Sequence, residues 1–270
     1  MRPLSEQTIL VTGATDGLGR AFAERLADQG AAVLVHGRDR QRGERAVTEI
    51  AGATGNDDVE LVLADLASLD EVRTLATGVA SAHERLDVLV NNAGIGTDGP
   101  RAESADGYEL RFAVNYLAGF LLTRMLLPTL AESAPARIVN VSSAGQAPID
   151  FDDVMLTRSY SGVQAYCQSK LAQVMFTLDL AEELAGTGVS ATALHPATYM
   201  PTKIVAHPIS TLEEGVEATL RLVADPVLDG VSGRYYNGQA EGTAHPQAYD
   251  ADARDRLRAL SERLTGLAGS

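Results

Sequence analysis

The sequence has little cysteine and a shortage of positive charge. Its 270 residues include one cysteine, Cys167, which leaves no pairing for an internal disulfide and fits a reducing, cytoplasmic location. Lysine and arginine total 22 against 36 aspartates and glutamates, so the formal net charge is −14. Such a surplus of negative charge argues against binding nucleic acid or an anionic membrane by bulk attraction.

Long apolar runs and metal-binding motifs are missing as well. The first seven residues hold no apolar core of a signal peptide, and no apolar run approaches the ~20 residues that span a bilayer. The five histidines are scattered, with no His-Glu-x-x-His motif and no cysteine pair beside them. We therefore expect no membrane partner and no dedicated metal site.

Short apolar runs alternate with helical patterns along most of the chain. The runs predicted as strands are Thr8–Thr12, Ala32–His36, Val59–Ala64, Asp87–Asn91, Arg137–Ser142, Val189–Leu194 and Arg234–Tyr236. The segments predicted as helices are Leu18–Gln29, Arg40–Ala51, Leu69–Ala82, Tyr108–Glu132, Ala165–Ala185, Leu212–Ala224 and about Asp250–Leu267. Because most strands are continuously apolar, helices should cover both faces of the sheet. The alternation predicts a single α/β domain over 1–270, a Rossmann-type doubly wound parallel sheet of about seven strands.

A glycine-rich turn follows the first predicted strand and precedes the first predicted helix. Its glycines allow a tight turn and a close approach of the backbone to a pyrophosphate. The helix N-terminus offers that anion unpaired N–H groups and the positive end of a dipole. The spacing is G-x-x-x-G-x-G instead of the common G-x-G-x-x-G, and the plain alternative is a turn without a ligand. The residues predicted to contact a dinucleotide here are Thr12, Gly13, Thr15, Asp16, Gly17, Leu18 and Gly19.

The end of the second predicted strand bears on which dinucleotide binds. A carboxylate at this place holds the adenosine ribose 2′-hydroxyl, whereas an arginine pairs with a 2′-phosphate. Here His36, Gly37 and Arg38 are predicted to line the adenosine end. The next residue, Asp39, has the plain alternative role of a helix cap, and Asp16 in the glycine turn counts modestly against a 2′-phosphate. We predict NADP(H), with NAD(H) as the less favoured alternative.

Further motifs occur in an order typical of one family. They are Asp65-Leu66, Asn91-Asn92-Ala93-Gly94, Asn115, Asn140-Val141-Ser142-Ser143, Tyr166-Cys167-Gln168-Ser169-Lys170 and His195-Pro196-Ala197. Together with the glycine turn, they make the chain resemble the short-chain dehydrogenase/reductase family over about residues 7–240. We place a cofactor half at about 7–142, a catalytic and substrate half at about 143–240, and a C-terminal helix at about 250–267.

The resemblance implies roles for the matching positions on the cofactor side. Asp65 would hydrogen-bond the adenine amino group, with Leu66 beside the base, although Asp65 has the alternative role of a helix cap. The segment Asn91–Gly94 would line the adenosine side through backbone contacts. Its predicted site residues are Asn92, Ala93 and Gly94.

The resemblance also implies a catalytic tetrad of Ser143, Tyr166, Lys170 and Asn115. Tyr166 and Lys170 stand four apart on a predicted helix and so share a face. A free tyrosine has a pKa near ~10, and a nearby ammonium lowers that pKa by favouring the phenolate. Tyr166 would then exchange a proton with the substrate oxygen, while Ser143, with Ser142 as its competitor, stabilises the charge developing there. Asn115 would connect Lys170 to solvent through water, and hydride chemistry would belong to the cofactor.

The loop between the catalytic serine and tyrosine is longer than in compact members of the family. Ser143 and Tyr166 are 23 positions apart, which, with the phrase Tyr-Cys-Gln-Ser-Lys, resembles the retinol-dehydrogenase-like branch. Phe151 and the apolar residues 154–156 would wall an apolar substrate, unless the loop is an ordinary surface excursion.

The segment after the sixth predicted strand completes the predicted site. The family usually has Pro-Gly there, followed by a threonine that touches the nicotinamide amide. In this chain an alanine follows the proline, and Thr202 is preferred to Thr198 as the matching threonine. Residues 199–210 form the expected substrate lid. The remaining predicted contacts are Pro196, Thr198 and Thr202 for the cofactor, and Ile95, Phe151, Tyr199 and Met200 for the substrate.

These features predict an NADP(H)-dependent enzyme that interconverts a carbonyl and an alcohol, run as reduction of a moderately apolar ketone or aldehyde. Two alternatives stay open: a non-redox reaction on the same scaffold, such as dehydration, epimerisation or cyclisation, and a non-catalytic regulatory protein that binds NADP(H). The intact tyrosine–lysine pair argues against the regulatory protein. Because many relatives pair through the helices bearing Asn115 and Tyr166, we also expect a homodimer or homotetramer.

Overall fold

The computed structural model describes residues 1–198, 200–201 and 209–267. In this part of the chain the strands are β1 (Thr8–Val11), β2 (Ala32–Gly37), β3 (Val59–Leu63), β4 (Val88–Asn91), β5 (Ala136–Val141), β6 (Val189–His195), β7 (Arg234–Asn237) and β8 (Ala240–Glu241). The α-helices are α1 (Gly17–Asp28), α2 (Arg40–Thr54), α3 (Leu69–Ala82), α4 (Ala118–Glu132), α5 (Gly162–Glu183), α6 (Leu212–Ala224) and α7 (Ala251–Thr265).

The strands form one sheet in the order β3-β2-β1-β4-β5-β6-β7-β8, parallel except for the last pair. The predicted Rossmann-type α/β fold is confirmed. The strand beyond the seven predicted, Ala240–Glu241, is a two-residue antiparallel edge, too short for a period-2 pattern to reveal. Strand order reverses between β1 and β4, and the crevice outside the carboxyl ends at such a point is where open α/β sheets bind ligands.

Helices cover both faces of the sheet, as the continuously apolar strands predicted. Alternate residues of β1 point to opposite faces, so Ile9 and Val11 pack with α1 and α6, whereas Leu10 packs with α3, α4 and α5. All three side chains are fully buried. Burial of an aliphatic side chain contributes roughly 1.5–3 kcal/mol, so both faces anchor the strand that carries the glycine turn.

Side-chain caps determine where several helices begin. Asp39 caps α2 by accepting from the N–H of Arg42 at 2.8 Å, which confirms its plain alternative role. The cap of α3 is Ser68, so the alternative that Asp65 caps this helix is wrong.

A π-helical segment, Phe112–Leu117, precedes α4 and gives the predicted helix a wider turn around Asn115. Within the described residues, Phe112–Glu132 is the stretch long and apolar enough to cross a membrane by length and composition, with a mean hydropathy of 1.3. It lies within the predicted helix Tyr108–Glu132, although no apolar run in the sequence approaches ~20 residues. Since 67% of it is buried inside the fold, it has the character of a core helix in this structure.

Helix α5 is enclosed by the rest of the chain. Residues 168–180 are all buried, and α7 packs against the helix. Ser261 of α7 forms a hydrogen bond of 2.7 Å with the hydroxyl of Tyr116, and Arg258 lies 3.4 Å from Asp179. Val163 near the start of the helix is exposed, and the predicted pairing of copies through the helices bearing Asn115 and Tyr166 stays a prediction.

Candidate active site

A cleft of about 730 Å³, within the usual range of ligand pockets, opens at the carboxyl ends of the central strands. On the side of β1, β2 and β3 its walls include the predicted residues Gly13, Thr15, Asp16, Gly17, Leu18, Gly19, His36, Gly37, Arg38, Asp65 and Leu66. On the side of β4, β5 and β6 they include Asn92, Ala93, Gly94, Ile95, Ser143, Tyr166, Lys170, Pro196, Thr198 and Met200. Thr12, Asn115 and Phe151 lie outside this wall, and Tyr199 and Thr202 lie outside the described residues.

The glycine turn allows a ligand's anionic group to approach closely. Gly13 has a φ of +65°, and a Cβ there would lie 2.8 Å from the Cα of Ala93. A Cβ on Gly19 would lie 2.4 Å from the carbonyl oxygen of Gly13. Both distances are too short for a side chain, so the turn requires glycine at these places. The N-terminus of α1 borders the cleft at Gly17 and Leu18, which fits a pyrophosphate.

Thr12 stabilises the glycine turn from behind. Its Oγ1 donates to the carbonyl of Val90 at 3.3 Å and accepts from the N–H groups of Asn92 and Ala93 at 2.9 and 3.0 Å. Asn92 donates in turn from Nδ2 to the carbonyl of Thr12 at 2.8 Å. Thr12 therefore braces the loops after β1 and β4 against each other and does not itself line the cleft.

His36 is buried and links the glycine turn to the end of β3 through two hydrogen bonds. Its Nδ1 accepts from the N–H of Gly13 at 3.0 Å, so the hydrogen sits on Nε2 and is donated to the carbonyl of Ala64 at 3.1 Å. Burial lowers the pKa of His36 to about 4. The ring holds the turn in place as a neutral imidazole, a role that the prediction of a contact at the adenosine end did not include.

Positive charge borders the cleft beyond β2. Arg38 and Arg42 both line it, and Nη2 of Arg42 lies 3.3 Å from Oδ2 of Asp16. The charge of Asp16, which counted against a 2′-phosphate, is therefore partly offset. Sequence reasoning missed Arg42, because Arg38 lies before the helix cap and the helical spacing rule does not relate the two positions.

Asp65 and Leu66 line the cleft at the end of β3, as predicted. The carboxylate of Asp65 accepts from the N–H of Ala67 at 3.0 Å, and the N–H of Asp65 donates to Glu71 at 2.7 Å. These bonds hold the turn after β3 and keep Asp65 at the cleft wall.

Tyr166 and Lys170 share one face of α5 and both line the cleft, as their spacing predicted. The Lys170 ammonium lies 5.7 Å from the centre of the Tyr166 ring. Lys170 is 4% exposed, and burial lowers its pKa to about 7. Its Nζ donates to the carbonyl of Val141 at 2.9 Å and to Oε1 of Gln173 at 3.0 Å, which fixes the ammonium beside the cleft.

The two serines after β5 have different partners. Ser142 Oγ donates to the carbonyl of Lys170 at 2.7 Å, which commits this hydroxyl to the backbone of α5. Ser143 Oγ accepts from the N–H of Gly145 at 3.0 Å. A Cβ on Gly145 would lie 3.5 Å from that oxygen and 3.9 Å from Cε1 of Tyr166. Ser143 and Tyr166 thus both border Gly145 in the cleft wall, and their predicted joint action on a substrate oxygen stays a prediction.

Asn115 lies behind the cleft wall. Its Oδ1 accepts from the N–H of Ile95 at 2.8 Å, and its Nδ2 donates to the Ile95 carbonyl at 3.1 Å and to Oγ of Ser169 at 3.0 Å. A Cβ on Gly94 would lie 3.4 Å from Asn115 Oδ1 and 3.5 Å from Lys170 Nζ, so the glycine lets the two approach each other. The predicted water-mediated link between them stays a prediction.

The cleft wall includes apolar side chains that sequence reasoning identified only in part. Ile95 and Met200 line the cleft as predicted, together with Leu110, Val114 and Val163, which were not singled out. Positions 110 and 114 belong to one long apolar segment, and such a segment does not reveal which of its sides faces a cleft.

Phe151 does not line the cleft, which corrects the sequence analysis. Its ring packs against the core cluster, and the guanidinium of Arg256 in α7 lies 4.5 Å from the ring centre. Val154 and Leu156 are buried, and Met155 packs against the same cluster as Phe151. The long loop is neither a substrate wall nor a surface excursion, because its apolar side chains complete the core.

Two titratable side chains border the catalytic end of the cleft. Nε2 of His195 lies 2.9 Å from Oγ1 of Thr198, and burial, then the charge of Lys170, lowers the pKa of His195. Cys167 also lines the cleft, and burial raises the pKa of its thiol. Across residues 1–198, 200–201 and 209–267, no group of three or more His, Cys, Asp or Glu side chains is placed to hold a metal ion.

Known proteins resemble this chain over nearly its whole length. The family model for short chain dehydrogenases matches residues 7–211. Human retinol dehydrogenase 13 is 39% identical over 97% of this chain and 85% of its own length, and mouse retinol dehydrogenase 14 is 38% identical over 97% and 86%. The chain therefore belongs to the short-chain dehydrogenase/reductase family, and its resemblance to the retinol-dehydrogenase-like branch is confirmed.

Solved structures agree with this assignment. A crystal structure of a protein from Mycobacterium paratuberculosis has a TM-score of 0.80 at 32% identity and covers 97% of this chain and 94% of its own. The Pseudomonas aeruginosa RhlG/NADP active-site complex has a TM-score of 0.72 at 26% identity, with coverage of 88% and 97%.

Proposed function

We propose that this protein is an NADP(H)-dependent oxidoreductase that reduces a moderately apolar ketone or aldehyde. The observation that carries the proposal is the meeting of Tyr166, Lys170 and Ser143 in one cleft with the glycine turn. Relatives named retinol dehydrogenases support the oxidoreductase class. The apolar side chains of the cleft wall, Ile95 and Leu110 among them, support an apolar substrate.

The residues of the tetrad have complementary roles in this proposal. A nicotinamide cofactor, when bound, supplies the hydride. Tyr166 gives its hydroxyl proton to the carbonyl oxygen as that oxygen gains negative charge. Ser143 donates a hydrogen bond to the same oxygen and stabilises the developing charge. Lys170 places positive charge beside the phenolate that Tyr166 becomes, and Asn115 holds the Ile95 loop against α5.

NADP(H) is proposed in preference to NAD(H) because two arginines border the adenosine end. Arg38 and Arg42 line the cleft beyond β2, and Arg42 offsets the charge of Asp16. A 2′-phosphate at this place would accept charge-assisted hydrogen bonds from a guanidinium, whereas a 2′-hydroxyl would leave that charge unused. The NADP complex of RhlG supports a fold that accommodates this cofactor.

The proposal also covers where the protein is located and whether its copies assemble. One cysteine and a net charge of −14 support a protein of the cytoplasm that takes a small-molecule substrate, with no nucleic-acid or membrane partner. A homodimer or homotetramer, formed through the helices bearing Asn115 and Tyr166, stays a prediction. Light scattering tests it, since a particle of 28.5 kDa would exclude both assemblies.

The deciding experiment incubates the purified protein with NADPH or NADH and a broad panel of ketones and aldehydes. Loss of the reduced cofactor and formation of product are followed together. We expect NADPH oxidation coupled to alcohol formation, with a higher kcat/KM for NADPH than for NADH. No cofactor oxidation with any carbonyl would overturn the proposal. Product without net cofactor change would indicate the non-redox alternative, and binding without turnover the regulatory one.

A further inference from the structure

Gln173 holds the catalytic lysine, although it belongs to none of the motifs that identified the family. Its Oε1 accepts from Lys170 Nζ at 3.0 Å, and Gln173 is 4% exposed. Because an ammonium only donates, the carboxamide must turn its oxygen toward Lys170 and its NH₂ group away. Gln173 follows Lys170 by three residues on α5, so both side chains lie on one side of the helix.

A small internal cavity borders this carboxamide. It has a volume of about 10 Å³, and its walls include Gln173, Asn91 and Gly119. Asn91 is 4% exposed and donates from Nδ2 to Asn140 at 2.9 Å, but its Oδ1 has no partner among the described residues. A space of roughly this size holds one water, provided that polar atoms line it. Gln173 and Asn91 both line this cavity, and they bring to it an amide with an NH₂ donor and an amide whose Oδ1 has no partner in the described part of the chain.

We propose that Gln173 is a positioning residue for Lys170, and that one buried water fixes Gln173 by accepting from its Nε2 and donating to Asn91 Oδ1. This inference rests on the proposed function, in which Lys170 acts beside Tyr166. The neutral oxygen of Gln173 stabilises the ammonium form of a lysine whose charged form burial disfavours. Gln173 itself touches neither cofactor nor substrate in this account.

The groups around Lys170 show in which direction a substitution of Gln173 should change the pKa of Lys170. The titratable groups that face it are Tyr166 on the same helix and His195 at the end of β6. β5 and the loop after β4 present the neutral carbonyl of Val141 and the backbone of Gly94. Loss of the Gln173 oxygen should therefore lower the pKa of Lys170, and a carboxylate in its place should raise that pKa.

NMR titration measures this effect without turnover. The sequence has two lysines, Lys170 and Lys203, so a sample labelled at lysine gives two side-chain signals, and Lys203→Arg identifies the second. Gln173→Leu is expected to lower the Lys170 titration midpoint by about one pH unit, and Gln173→Glu to raise it by about as much.

Gln168→Leu is the matched control for the loss of a buried amide. Gln168 is fully buried on the same helix, but its Nε2 donates to the carbonyl of Val154 at 2.7 Å. We expect this variant to leave the Lys170 midpoint unchanged. Equal midpoints for the wild type and both Gln173 variants would overturn the positioning role. If Gln173→Leu does not fold, Gln173→Glu carries the test.

The pH profile of the reaction provides a second readout. If the ammonium form of Lys170 is required, the alkaline limb of kcat/KM should move to lower pH in Gln173→Leu and to higher pH in Gln173→Glu. A failed carbonyl assay would overturn the proposed function but leave the NMR result standing. Shifted midpoints with an unmoved alkaline limb would overturn the role of Gln173 in the reaction.

The water requires its own test. A high-resolution crystal structure should show it within hydrogen-bond distance of Gln173 Nε2 and Asn91 Oδ1, and ordered density without it would overturn this link. Gly119→Ala should exclude the water, because the added Cβ would lie 3.3 Å from Cγ of Asn91. We expect this variant to lower the Lys170 midpoint by less than Gln173→Leu does, and an unchanged midpoint would contradict the water's role.

Discussion

The two halves of the cleft are formed by different structural elements. On the side of β1, β2 and β3 the wall lies at the ends of strands, where Gly13 and Gly19 leave room for a ligand and His36 braces the turn. On the side of β5 and β6 the wall carries its chemistry on the side chains of α5, with Tyr166 and Lys170 at the cleft. The first half depends on local turns, and the second depends on how an enclosed helix packs.

This difference predicts which substitutions should affect each half of the cleft. On the cofactor side, a substitution should matter where it fills the space that the glycines leave or removes a charged side chain that lines the cleft. A side-chain site depends on single functional groups and on the buried partners that hold them, such as the Val141 carbonyl that accepts from Lys170. Four predictions, in order of decreasing effect, test whether substitutions in the two halves act in these separate ways.

The largest effect is expected on the catalytic side, at the hydroxyl of Tyr166. Tyr166→Phe removes the proposed acid and should lower kcat by about 10²–10⁴-fold. Cofactor binding, measured by NADPH fluorescence, should change little because the glycine turn is untouched. Tyr108→Phe is the control, since it removes a hydroxyl that bonds the carbonyl of Leu264, remote from the cleft. Full turnover in Tyr166→Phe would exclude the mechanism.

The next effect concerns the brace on the cofactor side. Folded His36 stays neutral down to a pKa of about 4, whereas in the unfolded chain it takes up a proton near pH 6.5. Its contribution to stability is therefore complete above pH 6.5 and is lost as the pH falls from 6.5 toward 4, by up to about 3 kcal/mol. Urea unfolding at pH 7 and at pH 4.5 measures this loss. Parallel losses in wild type and His36→Gln would contradict the prediction.

Arg38 should distinguish the two cofactors. Arg38→Leu removes a charged partner of the 2′-phosphate and should lower kcat/KM for NADPH by about 10–100-fold, with NADH much less affected. Arg40→Leu serves as the control, because Arg40 is 72% exposed, pairs with Glu44 and does not line the cleft. Equal losses of kcat/KM with NADPH and NADH would show that Arg38 does not distinguish a 2′-phosphate from a 2′-hydroxyl.

The smallest effect compares an apolar residue of the cleft wall with one that packs on the core. Leu110→Ala should raise KM for an apolar carbonyl by about five- to tenfold, because Leu110 lines the cleft. Phe151→Leu should leave that KM unchanged and lower the melting temperature, because its ring packs on the core and under Arg256. The opposite pattern would restore Phe151 as a substrate contact.

Short-range sequence patterns, such as helix caps, account for the parts of the fold that were predicted correctly. The bounds of α3 and α6 were predicted as observed, because Ser68 begins one and the Thr211–Glu214 capping box begins the other. The π-helical turn around Asn115 and the short β8 were missed. Neither has a distinctive residue pattern, since one extra residue in a turn or a two-residue strand leaves the apolar periodicity almost unchanged.

The residue pattern was enough to predict the strand–turn–helix order, the glycine turn and the shared face of Tyr166 and Lys170, because each depends on backbone geometry over a few consecutive residues. Three-dimensional packing was needed to show that Phe151 packs on the core, that Arg42 pairs with Asp16, and that α7 covers α5. Those outcomes depend on which distant segments meet. An apolar or charged side chain is compatible with several partners until packing selects one.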